Sequence, residues 1–212
     1  MQPGERKIYV TPDKLRMDSF MLAANVVAGG FNPDNVLVLL RGAATAGGYV
    51  HEMLSKVYGY RLDYDARKTR RVQTGTHGVT PQYNIVIDDA DHPPEFTVCT
   101  RLLIVDDMFD TGRTIEEVIS WLVTNGLDED RIRVATVDYK PEKNQTQRVP
   151  DYYINMHPAN AWIVYPQEIS DVADEDIEEV FGSKVSNLLL MCQDVVKVRK
   201  DCNRLEKQIN SM

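Results

Sequence analysis

Two adjacent carboxylates, Asp106 and Asp107, close an apolar run, Leu102-Leu103-Ile104-Val105. Side by side at the end of a buried strand, they repel each other unless a cation or hydrogen-bond donors join them. A sugar diol or a metal-bound polyphosphate would satisfy both. A short polar loop follows, Asp110-Thr111-Gly112-Arg113-Thr114, and a helical pattern begins at Ile115. Backbone N–H groups from Asp110 to Thr114 can converge on a phosphate there. The helix dipole adds partial positive charge. Thr111 and Thr114 add hydroxyl donors, and Gly112 permits close backbone approach. Thr114 and Glu117 fit a capping box that would start the helix. Asp110 is placed to reach into the site and to take or give a proton.

Such a site needs elements to hold it. Thr11-Pro12 starts a helix carrying Leu15, Phe20, Leu22 and Val26, which stops at Gly29-Gly30. Val36 to Leu40 is a continuous apolar run, as expected of a strand covered on both faces. Arg41 to Thr45 forms a loop of small residues. A second helix carries Val50, Met53, Leu54 and Val57, with Gly59 just past its end. Tyr60–Tyr64 and Tyr83–Asp88 read as strands, with a long polar loop, Asp65–Pro81, between them. After the central helix come a strand over Ile132–Val137, then Asp138-Tyr139-Lys140-Pro141, and the segment Ala161-Trp162-Ile163-Val164-Tyr165-Pro166. Strands alternating with helices predict an α/β, doubly wound, mainly parallel sheet. Ligands of such sheets sit beyond the carboxyl ends of the strands. Three loops therefore share a candidate site: Arg41–Thr45, Asp106–Thr114 and Asp138–Lys140. Ser183–Ile209 reads as one long helix with a heptad seam at Val185, Leu188, Cys192 and Val195. Arg199 interrupts the seam and Cys202 resumes it. That seam serves either packing on its own domain or a short coiled coil between subunits.

Composition narrows the classes. Of 212 residues, 43% are hydrophobic and 26% charged, ordinary for a globular chain. With 24 basic against 32 acidic residues the net charge is −8, which disfavours nucleic acid as a partner. No run of about 18 apolar residues suggests a membrane span. Met1 to Tyr9 has no apolar signal core, so a cytoplasmic location is expected. Cys99, Cys192 and Cys202 fit neither a disulfide framework nor a zinc site and read as reduced packing residues.

The run Val105-Asp106-Asp107-Met108-Phe109-Asp110-Thr111-Gly112-Arg113-Thr114 resembles the phosphoribosyl-diphosphate motif of the type I phosphoribosyltransferases. The resemblance implies that fold, with a small hood over the sheet. Residues 1–172 would form the phosphoribosyltransferase domain and residues 173–212 an added C-terminal helical extension. It implies that Asp106 and Asp107 hold the ribose hydroxyls, with Mg2+ as cofactor beside them. Asp110, Thr111, Gly112, Arg113 and Thr114 would cradle the 5′-phosphate, with Asp110 also facing the purine N7. Leu40-Arg41-Gly42-Ala43 matches the family's pyrophosphate loop, where a non-proline cis peptide is common. Lys140 matches the lysine that bonds O6 in the 6-oxopurine branch. A lysine only donates, so it favours an oxo over an amino group. Trp162 matches the aromatic that stacks on the base, and Ile163 the residue whose backbone reads the purine edge.

Tyr139-Lys140-Pro141, Pro150-Asp151-Tyr152-Tyr153 and Trp162 to Pro166 are similar to the xanthine-guanine and hypoxanthine phosphoribosyltransferases. The likeness covers most of residues 8 to 170. The chain departs at Pro166-Gln167-Glu168, where relatives often carry Pro-Trp-Glu or Pro-Trp-Asp. The segment Asp65–Pro81 stands where the family has a flexible catalytic loop, and its run Arg67-Lys68-Thr69-Arg70-Arg71 could meet pyrophosphate. The implied reaction is purine salvage. A phosphoribosyl group passes from 5-phospho-α-D-ribose 1-diphosphate (PRPP) to hypoxanthine, guanine or xanthine, in a homodimer or homotetramer. A phosphoribosyltransferase for adenine, orotate or uracil is the alternative enzyme, and Lys140 and Trp162 argue against it. A non-catalytic PRPP-sensing regulator is the alternative outside catalysis, and the acidic charge gives it little support.

Overall fold

The apolar runs become the middle of a six-stranded sheet. In β2 (Asn35–Leu40) Val36 and Val38 bury on one face while Leu37 and Leu39 bury on the other. The same division holds in β5 (Leu102–Phe109), where Leu103 and Val105 oppose Leu102 and Ile104, and in β6 (Ile132–Tyr139). The computed structural model describes residues 6–74, 82–91, 96 and 100–209. Around the three strands, β3 (Asp63–Thr74) and β4 (Gln82–Ile87) extend one side and β7 (Tyr152–Met156) the other, in the order β4-β3-β2-β5-β6-β7. Every neighbouring pair is parallel except β3 with β4. A parallel pair, β1 (Arg6–Tyr9) and β8 (Ala161–Val164), forms a second small sheet in the place of the expected hood.

Helices cover both faces, as a doubly wound sheet requires. On one side lie α1 (Pro12–Ala28) and α2 (Ala44–Tyr58), which bury Leu15, Leu22 and Val26, and Val50 and Leu54. Thr11 caps α1 by accepting from the Lys14 N–H at 3.2 Å, and Pro12 opens its first turn. At Gly47 a Cβ would lie 2.5 Å from a Val38 methyl, so glycine lets α2 settle on β2. On the other side α3 (Arg113–Thr124) buries Ile115, Val118, Ile119 and Leu122 at helical spacing. Each such side chain contributes about 1.5–3 kcal/mol of burial.

Several expectations are corrected. The apolar strand does not end at the acid pair: β5 continues to Phe109, with Asp106 opposite Thr136 and Met108 opposite Asp138. The helix begins at Arg113, before the expected capping box. Gly112 is its N-cap, in the left-handed region at φ 77°, and no side chain caps it. Residues 65–74, expected in a loop, belong to β3. Their backbone groups pair first with β2 up to Lys68 and then with β4 from Thr69 to Thr74, which the exposed side chains of Lys68, Arg70 and Arg71 do not prevent. The remainder of that segment, with Gly75, Gly78 and Pro81, lies outside the described residues.

The chain divides into two compact units, Met1–Gln167 and Glu168–Met212. The second contains α4 (Ile177–Phe181) and α5 (Ser183–Ile209), the long helix with the expected bounds. On α5 Leu188, Leu190, Met191, Val195 and Val196 are exposed. Cys192 is exposed as well, so it is not a packing residue. Cys99 and the Cys202 side chain lie outside the described residues. Among the described residues no helix is long and apolar enough to cross a membrane.

Candidate active site

Because β2, β5 and β6 run parallel, their carboxyl ends share one edge of the sheet, and the three loops expected to cooperate lie along it. The first loop sits directly on the acid pair. A Cβ at Gly42 would stand 2.6 Å from the Asp107 Cγ, so only glycine leaves room for that carboxylate. The peptide between Leu40 and Arg41 is cis, as the resemblance implies. Arg41 itself is exposed.

Across Asp106 to Met108 the strand changes which residues face which side. Val105 and Met108 join the α1–α2 cluster, whereas Ile104 and Phe109 join the α3 cluster, a slip of one residue in the alternation. The same slip separates Val137 from Tyr139 in β6. The acids stand at that slip. Asp106 keeps some solvent contact at its edge but is otherwise surrounded by protein. Burial, and next the charge of Asp107, push its carboxyl well above the ordinary aspartate range.

The 110–114 loop is braced from the segment after β6. The Gln145 N–H donates to the Thr111 carbonyl at 3.0 Å. A Cβ at Gly112 would meet the Thr146 hydroxyl at 2.6 Å and the Asn144 side-chain oxygen at 2.9 Å. A cavity of about 200 Å3 opens here, lined by Asp106, Asp110, Thr111, Gly112 and Thr114, with Arg71 of β3 and Ile85 of β4. Arg113 is exposed and not among its lining residues, so only its backbone can serve the loop.

Lys140 is 5% exposed, and its backbone N–H donates to the Phe109 carbonyl at 2.9 Å. Its Nζ stands 3.6 Å from Asp110 Oδ1, and Lys143 Nζ lies 3.1 Å from Asp110 Oδ2. Asp110 Oδ1 is buried and accepts no hydrogen bond. Trp162 is 45% exposed on β8 and so is a surface aromatic, not a core residue; Ile163 beside it is buried.

Four residues of this region carried little or no signal alone. Arg71 supplies the cavity's cation, and Lys143 the second cation on Asp110. Asp138, already marked as a strand end, and Tyr165 form a buried pair. The Tyr165 hydroxyl lies 2.6 Å from Asp138 Oδ2 and 3.0 Å from the Asp107 carbonyl. Burial and then the charges of Asp107 and Asp138 push its phenol well above the usual tyrosine range, so it acts as a donor. Tyrosine after an apolar strand and aspartate two residues before the site lysine were the available signals.

These features, acid pair on a parallel strand, phosphate-sized loop at a helix start and a glycine loop seated on the acids, have a known family. Residues 15–170 match the phosphoribosyl transferase domain, and the chain belongs to that family. It is accordingly a phosphoribosyltransferase, an enzyme of the type I fold. A purine phosphoribosyltransferase from Pyrococcus horikoshii Ot3 is similar at 27% identity, covering 79% of this chain and 97% of that one, with a TM-score of 0.62. A hypothetical protein from Neisseria gonorrhoeae with bound ppGpp shares the fold at 20% identity, covering 83% and 96%, TM-score 0.67. Helicobacter pylori xanthine-guanine-hypoxanthine phosphoribosyltransferase shares it at 17%, covering 78% and 95%, TM-score 0.56. No curated protein matches the chain.

Proposed function

We propose that this enzyme transfers the phosphoribosyl group of PRPP to N9 of a 6-oxopurine, releasing pyrophosphate, in purine salvage. The observation that carries this reading is the approach of Lys140 Nζ to Asp110 Oδ1 at 3.6 Å. O6 and N7 are neighbours on the edge of a 6-oxopurine. Lys140 donates to O6, and Asp110, whose Oδ1 lacks a donor in the free protein, accepts from N7–H. The half-exposed Trp162 offers a stacking face, and the Ile163 backbone reads the purine edge. The Pyrococcus horikoshii relative, a purine phosphoribosyltransferase, supports a purine as the base.

The remaining residues take the sugar phosphate. Backbone N–H groups of Asp110, Thr111, Gly112, Arg113 and Thr114, with the threonine hydroxyls, bind the 5′-phosphate at the start of α3. Arg71, lining the same cavity, adds positive charge. Arg41 and Gly42 receive the pyrophosphate. Asp106 and Asp107 hold the ribose hydroxyls, and their charge favours the oxocarbenium character that develops at C1′. The C1′–O bond to pyrophosphate breaks as the N9–C1′ bond forms, and the N7 proton passes to Asp110. The acid pair suits Mg2+, which binds through one or two carboxylates and takes its other oxygens from substrate phosphates. Among the described residues no group of three or more His, Cys, Asp or Glu is placed to hold a metal ion. When bound, Mg2+ neutralises charge on the leaving pyrophosphate. A homodimer or homotetramer is part of the proposal, supported by the exposed apolar residues of α5.

A PRPP-dependent assay with hypoxanthine, guanine, xanthine and adenine tests the reading. Turnover with at least one 6-oxopurine and none with adenine is expected. Turnover with adenine alone, or with none of the four, overturns it.

A further inference from the structure

We infer that the Tyr165 hydroxyl is a positioning group that ties the base-reading strand β8 to the sugar-phosphate strand β5, by way of Asp138 on β6. The inference rests on the 6-oxopurine reading and deepens it. The proposed site draws on two sheets: Asp106 and Asp107 lie in the six-stranded sheet and Lys140 directly follows its strand β6, whereas Trp162 and Ile163 lie on the two-stranded one. No strand pairing joins the two sheets among the described residues. Beyond the short link from β7 to β8, where the His157 N–H donates to the Tyr139 carbonyl at 2.9 Å, their mutual placement depends on side chains.

Tyr165 stands one residue beyond β8 and is 3% exposed. Its hydroxyl donates to Asp138 Oδ2 at 2.6 Å, a charge-assisted length, with the Asp107 carbonyl 3.0 Å away as a second acceptor. One hydroxyl thus meets the strand of the acid pair and the strand that presents Lys140. Asp138 is 2% exposed and well satisfied: His157 Nε2 lies 2.7 Å and Asn155 Nδ2 3.0 Å from its Oδ1. Asn155 Nδ2 also lies 2.9 Å from Asp18 Oδ2, which Lys14 Nζ approaches at 2.7 Å, so the network is anchored on α1. A ring that only filled space would need no hydroxyl there, because a buried polar group costs free energy unless bonded. A second tether leaves the same segment. Gln167 Nε2 donates to the Gly42 carbonyl at 2.9 Å, joining it to the pyrophosphate loop.

The test is Tyr165→Phe, which keeps the ring and deletes the tether. Steady-state kinetics with both substrates varied, and the melting temperature, are measured beside the parent enzyme. The expected result is a KM for the 6-oxopurine raised about tenfold, the equivalent of one lost charge-assisted hydrogen bond, with the KM for PRPP within about twofold. A variant that melts lower but keeps both KM values shows a packing role and overturns the inference. Should Tyr165→Phe fail to fold, Asp138→Asn reads the same contact. Its neutral acceptor is expected to raise the purine KM about threefold, and an unchanged purine KM overturns the inference. Failure of the functional reading looks different: the parent enzyme itself then turns over no 6-oxopurine.

Discussion

Asp106 is held in an unfavourable place for a carboxylate. Its proton is retained to higher pH in the folded chain than in the unfolded one, because burial and Asp107 both disfavour its charge. Over the window from the unfolded value of about 3.9 up to the raised folded value, the folded state binds more protons. This group therefore lowers stability as pH rises through that window. Asp106→Asn removes the slope. At neutral pH the melting temperature of the ligand-free variant is expected to exceed that of the parent, each kcal/mol gained being about 2–4 °C for a chain of this size, while turnover is lost. Thermal melts across pH check it; a variant that melts no higher than the parent at neutral pH contradicts it. Gly42 belongs to the same economy of space. Its missing side chain leaves room for the Asp107 carboxylate, so the loop and the acid constrain each other.

At the scale of elements, α3 starts where Gly112 allows it. Gly112→Ala places a Cβ in the left-handed region and against Thr146 and Asn144. A loss of about 1–3 kcal/mol is expected, with a raised KM for PRPP because the loop that meets the 5′-phosphate must shift. Denaturant unfolding and kinetics measure both, and unchanged values would show that the loop tolerates the side chain. Much of this architecture was legible. β2, β5 and β6 announce themselves because both faces are buried, and α1 because Thr11 and Pro12 mark its start. The start of α3 was misplaced because the capping-box pattern at Thr114 and Glu117 is local, whereas Gly112 is selected by contact with residues 144–146. β3 was hidden because Arg67 to Arg71 look solvated, yet their backbone pairs with β2 and β4. In the candidate site, the roles proposed for Asp106, Asp107, Asp110 and Lys140 follow from their order along the chain. The Asp138 network was not, because its members come together only through the fold: Tyr165 is 27 residues away, and Asn155 is 137 residues from Asp18.

The whole molecule joins a catalytic unit, Met1–Gln167, to a helical unit, Glu168–Met212. Leu188, Leu190, Met191, Val195 and Val196 are each about half exposed along α5, at 48–58%. A single helix with so many apolar residues in water is better covered by a second copy than left bare. Deleting residues 183–212 is expected to lower the mass in solution to that of a smaller assembly while turnover per chain persists. Light scattering and the PRPP-dependent assay check this together, and an unchanged assembly state would locate subunit contacts elsewhere. One feature of the first unit bears on how the protein is made. β1 pairs with β8, Arg6 opposite Ala161 and Tyr9 opposite Val164. During synthesis the strand nearest the N-terminus leaves the ribosome long before its partner exists. The sheet from β2 to β6 can assemble while β1 waits as an unpaired strand, because closure across so long a stretch of chain is slow to arrive. The part of the site that would choose the base is thus completed last. A chain stalled before residue 161 would carry the acids, the phosphate loop and Lys140 but not the stacking face of Trp162.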